Sequence, residues 1–177
     1  MQPVQLNVKL IPQDKSRACW YACAQMLLNW RWEQRGKPPA HDPTKTIQAR
    51  TRHLFNRGLP PKQTIEFVSD MGFRAVPQMP PLPAPLAEAL RKYGPIMMIA
   101  NEIDHARVIT GVSVTHVSLN DPAPVNVGSR KQITYEQFGL ENVSATDKDL
   151  ARTEPWKWPA VIRGEPIQVP PTLMYCP

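Results

Sequence analysis

Residues 13–20 of this 177-residue chain read Gln13-Asp14-Lys15-Ser16-Arg17-Ala18-Cys19-Trp20, and they mark the point where a polar loop becomes a long apolar stretch. Apolar residues then recur every three or four positions, which predicts a buried helix over residues 17–35. We expect Ser16 to cap this helix, because a serine oxygen can accept a backbone N–H that has no partner within the helix. Cys19 then falls in the first turn, where free N–H groups and aligned peptide dipoles favour a thiolate over a thiol. This placement makes Cys19 a candidate nucleophile.

A nucleophilic cysteine needs a base, and the chain offers four histidines, His41, His53, His105 and His116. His105 opens a β-branched run over residues 105–112 that predicts a strand. The next run, residues 113–119, alternates in polarity and is followed by Asn120-Asp121-Pro122. A hairpin of these two strands would bring Asp121 back to His105. A nucleophile at a helix N-terminus, with a base and its orienting carboxylate on adjacent strands, is the geometry of a cysteine hydrolase.

Three motifs in this order resemble the papain-like cysteine peptidases of bacteria. They are the spacing Gln-x5-Cys-Trp, the strand His-Ala-x-Val-Ile-Thr-Gly and the closing Asn-Asp-Pro, and together they cover residues 10–125. The branch that they resemble most contains bacteriocin-leader peptidase domains and the effector proteases of plant pathogens.

This resemblance implies a role for each of four residues. Cys19 would be the nucleophile, His105 the base and Asp121 the residue that orients the base, while Gln13 would donate to the oxyanion hole beside the backbone N–H of Cys19. Many papain relatives orient their histidine with asparagine, so Asn120 is the alternative to Asp121. The Asp-Pro ending is the form usual in the bacterial branch and favours Asp121.

Length and composition indicate one globular domain. A chain of 177 residues with 42% hydrophobic residues can bury a core without disulfides, and three cysteines do not suggest a disulfide framework. The first residues carry no signal-peptide pattern, and no apolar run approaches the roughly 20 residues that span a bilayer. We therefore expect a soluble protein made in the cytoplasm without a signal peptide and without membrane insertion. Delivery into a target cell by a specialised secretion system, or excision from a larger polypeptide, is compatible with this.

The formal charge of +6 does not by itself indicate a nucleic-acid partner. Arginine and lysine are scattered, with one loose concentration at residues 50–57 and no stripe interleaved with aromatic residues. Such a charge equally favours solubility or attraction to an acidic protein. We expect no nucleic-acid partner.

The order of predicted elements indicates an α+β fold. Helices are expected over residues 17–35, 44–56, 62–71 and 86–93, with strands over 73–78, 96–100, 105–112, 113–119 and 132–134 and a helical turn over 135–140. We predict one papain-like domain over residues 1–177, with a mainly helical half (1–94) packed in two layers on a mainly β half (95–153) that forms an antiparallel sheet. The active-site cleft would lie between the two layers.

A strap rich in proline and tryptophan, residues 154–177, follows the sheet. We expect it to pack against its own domain, with docking to a partner as the alternative.

The remaining cysteines and histidines have simpler interpretations. Cys23 is one helical turn beyond Cys19 and reads as buried, and Cys176 as packed or a free thiol. His116 is the second candidate for the base, whereas His41 and His53 lie among polar helix ends and read as surface residues. A zinc site formed by the cysteines at 19 and 23 and the histidines at 105 and 116 would lack the closely spaced pairs of ordinary sites. The cysteine mechanism requires no metal and no organic cofactor.

These features predict a cysteine endopeptidase that cleaves a specific intracellular protein, as a bacterial secreted effector or an antibacterial toxin neutralised by a cognate inhibitor. Two alternatives remain open. The same residues could serve a cysteine amidase or acyltransferase that acts on a non-protein or cell-wall substrate. The other alternative is a non-catalytic papain-like binding module.

Overall fold

The fold is taken from a computed structural model that describes residues 1–36, 43–59, 61–76, 82–100, 105–141 and 173–177. Helix α1 spans Cys19–Arg35, and its N-cap is Ala18, with no hydrogen bond from a capping side chain. The prediction that Ser16 caps the helix is therefore wrong, and Cys19 is the first helical residue. The helix ends at Gly36, whose φ of 72° is the left-handed conformation that glycine adopts without strain.

The other helices lie close to their predicted positions. Helix α2 spans Pro43–Thr51 and is followed by a 3₁₀ turn at Arg52–Leu54, so the second predicted helix is interrupted before its expected end. Helices α3 and α4 span Pro61–Asp70 and Pro83–Tyr93, and the short α5 spans Tyr135–Glu141. No described helix has both the length and the hydropathy needed to cross a membrane.

Within the part of the chain that the structure describes, seven strands form one sheet in which every pair is antiparallel. They are β1 (Val4–Gln5), β2 (Arg74–Ala75), β3 (Ile96–Ala100), β4 (His105–Val112), β5 (His116–Asp121), β6 (Ser129–Thr134) and β7 (Leu173–Tyr175). The order across the sheet is β2-β7-β3-β4-β5-β6, and β1 pairs with β4 beside this path. The predicted α+β fold with an antiparallel sheet is confirmed.

The hairpin of β4 and β5 determines which residues reach the site. Val108 pairs with Asn120, so Asp121 lies beside the end of β4 that begins with His105. At the opposite end of β4, Gly111 lies where β1 runs close by, and a Cβ there would be 2.7 Å from the carbonyl oxygen of Val4. That close approach requires glycine.

Apolar residues cover both faces of the sheet because neighbouring residues of a strand point to opposite sides. Met97 of β3 and Val108 of β4 belong to the cluster that contains the buried side of α1. Ile96 and Met98 of β3 belong to a second cluster with α4. The face that packs on α1 carries the start of that helix, and with it Cys19, to the sheet.

The end of the chain contributes a strand that the sequence analysis does not predict. β7 pairs with both β2 and β3, so residues 173–175 lie inside the sheet. Residues 154–172 of the strap lie outside the described residues.

Candidate active site

Cys19 lies at the junction of α1 and the sheet. As the first residue of α1 it is only 8% exposed, and its sulfur accepts the backbone N–H of Ala106 in β4 at 3.4 Å. The N–H groups of a first helical turn have no acceptor within the helix. The sulfur thus lies at the N-terminus of α1 and directly beside the residue that follows His105.

His105 connects the cysteine to a carboxylate. Its Nε2 is 2.6 Å from Oδ1 of Asp121, and the imidazole also shares a hydrogen bond with Cys19. Burial alone would lower the pKa of His105. The hydrogen bonds to Asp121 and Cys19 and the negative charge of both groups outweigh this effect and raise the pKa to about 9. The ring is therefore an imidazolium at neutral pH, placed between the sulfur of Cys19 and the carboxylate of Asp121.

Asp121 is buried, and both oxygens of its carboxylate accept hydrogen bonds. Oδ1 also accepts the backbone N–H of Ala123 at 2.9 Å, while Oδ2 accepts from Arg107 Nε at 3.2 Å and from Lys131 Nζ at 2.7 Å. Burial raises the pKa of the carboxyl, but the hydrogen bonds from His105, Lys131 and Ala123 hold it well below its usual range. Asp121 is a carboxylate throughout the physiological pH range.

The alternative orienting residue, Asn120, points elsewhere. Its Nδ2 donates to the carbonyl of Val8 at 3.0 Å and lies 3.8 Å from the sulfur of Met26, on the side of the sheet that packs on α1. Of the two neighbouring candidates, Asp121 is the one that contacts His105.

Gln13 is buried in the loop that leads to Cys19. Its Nε2 donates to the carbonyls of Lys15 at 2.8 Å and Ser16 at 2.9 Å, and its Oε1 is buried without a hydrogen-bond partner among the described residues. Its backbone N–H also donates to the carbonyl of Pro122 at 3.0 Å, which fastens this loop beside Asp121. To donate to an oxyanion, the amide must turn one N–H away from a loop carbonyl.

The other predicted candidates have different surroundings. His116 lies at the opposite end of β5, where its Nδ1 is 2.8 Å from the hydroxyl of Thr115. Cys23 is fully buried, and burial holds the pKa of its thiol well above the usual value; Cys176 is half-buried, and its pKa is raised for the same reason. His53 is exposed, and His41 lies outside the described residues. Within the described ranges, no three histidine, cysteine, aspartate or glutamate side chains form a group that could hold a metal ion.

Sequence reasoning missed the two cations on Asp121. Arg107 could have been found, because it is two residues from His105 in the same strand and such residues share a face. Lys131 depends on the pairing of β5 with β6, in which it lies opposite Leu119. No local motif in the sequence predicts that register.

The chain is similar to a known protein family and to a solved structure. The family model described as papain-like cysteine protease AvrRpt2 matches residues 1–142. No curated protein matches the chain. A solved structure of a double glycine motif protease from an AMS/PCAT transporter, in complex with the leader peptide, has a TM-score of 0.49 and 22% sequence identity, and the match covers 78% of this chain and 89% of that chain.

Proposed function

This chain belongs to the papain-like cysteine protease AvrRpt2 family and is a cysteine protease, and we propose that it is an endopeptidase in which Cys19 attacks one particular intracellular protein. The observation that carries the proposal is the position of His105, which shares hydrogen bonds with both Cys19 and Asp121. Because Nε2 is engaged by Asp121, Nδ1 is the nitrogen left for the sulfur. An imidazole held in this way can keep a proton beside the thiolate and later deliver it.

The reaction proceeds in two halves. The Cys19 thiolate adds to the carbonyl carbon of the scissile peptide, and the negative charge moves to the carbonyl oxygen. His105 then donates its proton to the leaving nitrogen, the C–N bond breaks, and a thioester remains on Cys19. In the second half His105 takes a proton from water, the hydroxide attacks the thioester, and the carboxylic product leaves with the thiolate and imidazolium restored.

In this proposal two groups support the charge that develops on the carbonyl oxygen. One is the backbone N–H of Cys19 at the first position of α1, and the other is the side-chain amide of Gln13 after one of its N–H groups turns away from a loop carbonyl. Each such donor contributes roughly 3 kcal/mol to transition-state stabilisation in related hydrolases. Asp121 keeps the imidazole of His105 in one orientation and tautomer through both halves.

The biological role that we propose is that of a bacterial effector or antibacterial toxin, delivered into a target cell by a specialised secretion system. The nearly complete burial of Cys19 supports a selective substrate, because a chain segment must enter the groove expected between α1 and the sheet to reach the sulfur. A protein of this kind needs a cognate inhibitor in the producing cell if its substrate is also present there. Such an inhibitor would cover the groove and protect Cys19.

The test compares the wild-type chain with Cys19→Ala and with Cys176→Ala, which removes a thiol outside the site. Each protein is added to lysates of bacterial and eukaryotic cells, and new protein N-termini are identified by mass spectrometry. We expect a small set of termini with the wild type and Cys176→Ala and none with Cys19→Ala. Labelling of Cys19 by a thiol probe without new termini would contradict the endopeptidase and favour an amidase.

The toxin role has a separate test. Wild-type protein and Cys19→Ala are expressed in the bacterial cytosol at matched levels, and growth is followed. The toxin role predicts arrested growth with the wild type alone, and equal growth of the two strains would contradict it.

A further inference from the structure

Lys131 reaches the carboxylate of Asp121 from the edge strand of the sheet. The pairing of β5 and β6 places Lys131 opposite Leu119, two residues before Asp121 and therefore on the same face. Its Nζ lies 2.7 Å from Oδ2 of Asp121, while its side chain is 45% exposed and that of Asp121 is 1% exposed. Lys131 is thus a surface residue whose ammonium group forms an ion pair with a buried carboxylate of the site.

The two oxygens of Asp121 have different partners. Oδ1 faces His105 and the N–H of Ala123, whereas Oδ2 accepts only from cations among the contacts described here, Arg107 and Lys131. A carboxylate can rotate about its Cβ–Cγ bond and exchange its oxygens. Donors that hold Oδ2 therefore also hold Oδ1 against the imidazole.

We propose that Lys131 is a positioning residue for peptide hydrolysis, which acts through Asp121 to hold Oδ1 of that carboxylate on His105 and to moderate the negative charge that His105 experiences. This inference rests on the proposed function, because it requires His105 to be the base. Lys131 is the informative partner of the two, since Arg107 is itself buried and its substitution would disturb the packing of the core as well as remove a charge. The exposed ammonium can be changed at lower cost to the fold.

The pH dependence follows from the charged and titratable groups that the described residues place near this carboxylate. Cys19 and Cys23 face it from α1, His105 and Arg107 from β4, and Lys131 from β6. Removal of the Lys131 charge leaves a more negative field at His105, so the imidazolium holds its proton to higher pH. The alkaline limb of kcat/KM should then move up by about half a pH unit, since a half-exposed charge is strongly screened.

The experiment uses four variants of the full chain on the substrate found by terminus analysis. Lys131→Met keeps the aliphatic stem without a charge, Lys131→Gln keeps a donor without a charge, and Lys131→Arg keeps both. Arg130→Met is the matched control, because the neighbouring Arg130 is also basic and exposed but points to the opposite face of β6. We expect kcat/KM to fall about tenfold in Lys131→Met, less in Lys131→Gln, and less than about twofold in Lys131→Arg and Arg130→Met.

A double-mutant cycle separates positioning from a merely structural effect. In an Asp121→Asn background, Lys131→Met should change kcat/KM by less than about twofold, because the group through which Lys131 acts is gone. An equal loss in both backgrounds, or an alkaline limb that stays in place or moves to lower pH, would overturn the inference. If the melting temperature of Lys131→Met is below the assay temperature, Lys131→Gln replaces it in the same double-mutant cycle. Full activity of Cys19→Ser would instead reject the proposed function itself.

Discussion

The backbone N–H of Ala106 donates to the sulfur of Cys19 at 3.4 Å, and this contact joins the start of α1 to β4 within the core. Ala106 follows His105 directly, so the contact that seats the sulfur also brings it next to the imidazole. The proposed nucleophile and its proposed base belong to separate elements, 86 positions apart by their numbers, 19 and 105. Their relative position therefore depends on how the helix packs against the sheet.

Asp121→Asn should lower kcat/KM by at least about a hundredfold. An amide cannot accept from His105, Arg107 and Lys131 as a carboxylate does, so the imidazole loses both its orientation and its stabilising charge. Loss of one partner from a buried ion pair costs about 3–5 kcal/mol of folding free energy, and urea unfolding measures this. The control is Asp14→Asn in the exposed loop before α1. Wild-type rates in Asp121→Asn would contradict the proposed role of Asp121.

The pKa values of His105 and Asp121 together predict that the free energy of unfolding has a plateau between about pH 4 and 6.5. The pKa of His105 is raised from 6.5 to about 9, so its contribution is complete below pH 6.5 and is lost as the pH rises through 9. The pKa of Asp121 is depressed, so its contribution is complete above its unfolded value and is lost as the pH falls towards the folded value.

Thermal melting from pH 4 to 10 measures this dependence. The alkaline decrease that His105 causes is on the order of 2–3 kcal/mol. His105→Gln should flatten the alkaline side, whereas His53→Gln, at an exposed position, should leave it unchanged. A profile of His105→Gln that matches the wild type would show that His105 is not held as described.

Gln13→Ala should lower kcat by roughly tenfold to a hundredfold and change KM little, because a donor to the oxyanion acts only as the charge develops. The same change removes the hydrogen bonds of the Gln13 amide to two loop carbonyls, so the fold is monitored by the melting temperature. Gln132→Ala, at an exposed position of β6, is the control. A change in KM alone would assign Gln13 to binding of the substrate instead.

Gly94→Ala should destabilise the fold by about 2 kcal/mol or more. Gly94 ends α4 with a φ of 83°, and a Cβ there would overlap the ring of Trp30, with Cη2 only 2.7 Å away. Gly139→Ala is the matched control, since no atom lies within 4 Å of its Cβ position in α5. Helix propensity then predicts a gain of up to about 1 kcal/mol for Gly139→Ala. Equal melting temperatures of the two variants would contradict this packing.

Local patterns were sufficient for most of the fold. The helical period of α1 and the β-branched run of β4 lie within single elements, so the sequence reveals them without knowledge of tertiary contacts. The strands β1 and β7 contain two and three residues, too few for any period, and they form only because β4 and β3 offer partners. Ser16 has a favoured capping residue type, yet the chain turns at Ala18 and the helix begins one residue later.

The contacts of the candidate site also differ in whether local sequence patterns predict them. The contact between His105 and Asp121 follows from a hairpin of neighbouring strands, which sequence separation alone makes predictable. The contact of Lys131 with Asp121 depends on the loop between β5 and β6, whose length sets the register, and on no sequence motif. The local bonds of the Gln13 amide to two loop carbonyls likewise follow from the shape of the folded loop.

The most direct measurement is the rate at which iodoacetamide alkylates each of the three thiols at pH 6, with mass spectrometry to separate them. Cys23 and Cys176 are internal standards, because burial raises the pKa of both thiols. A thiolate held by His105 predicts alkylation of Cys19 at least about tenfold faster than that of Cys176, and loss of this advantage in His105→Ala. A Cys19 that reacts no faster than Cys176 in the folded wild-type protein would contradict the account.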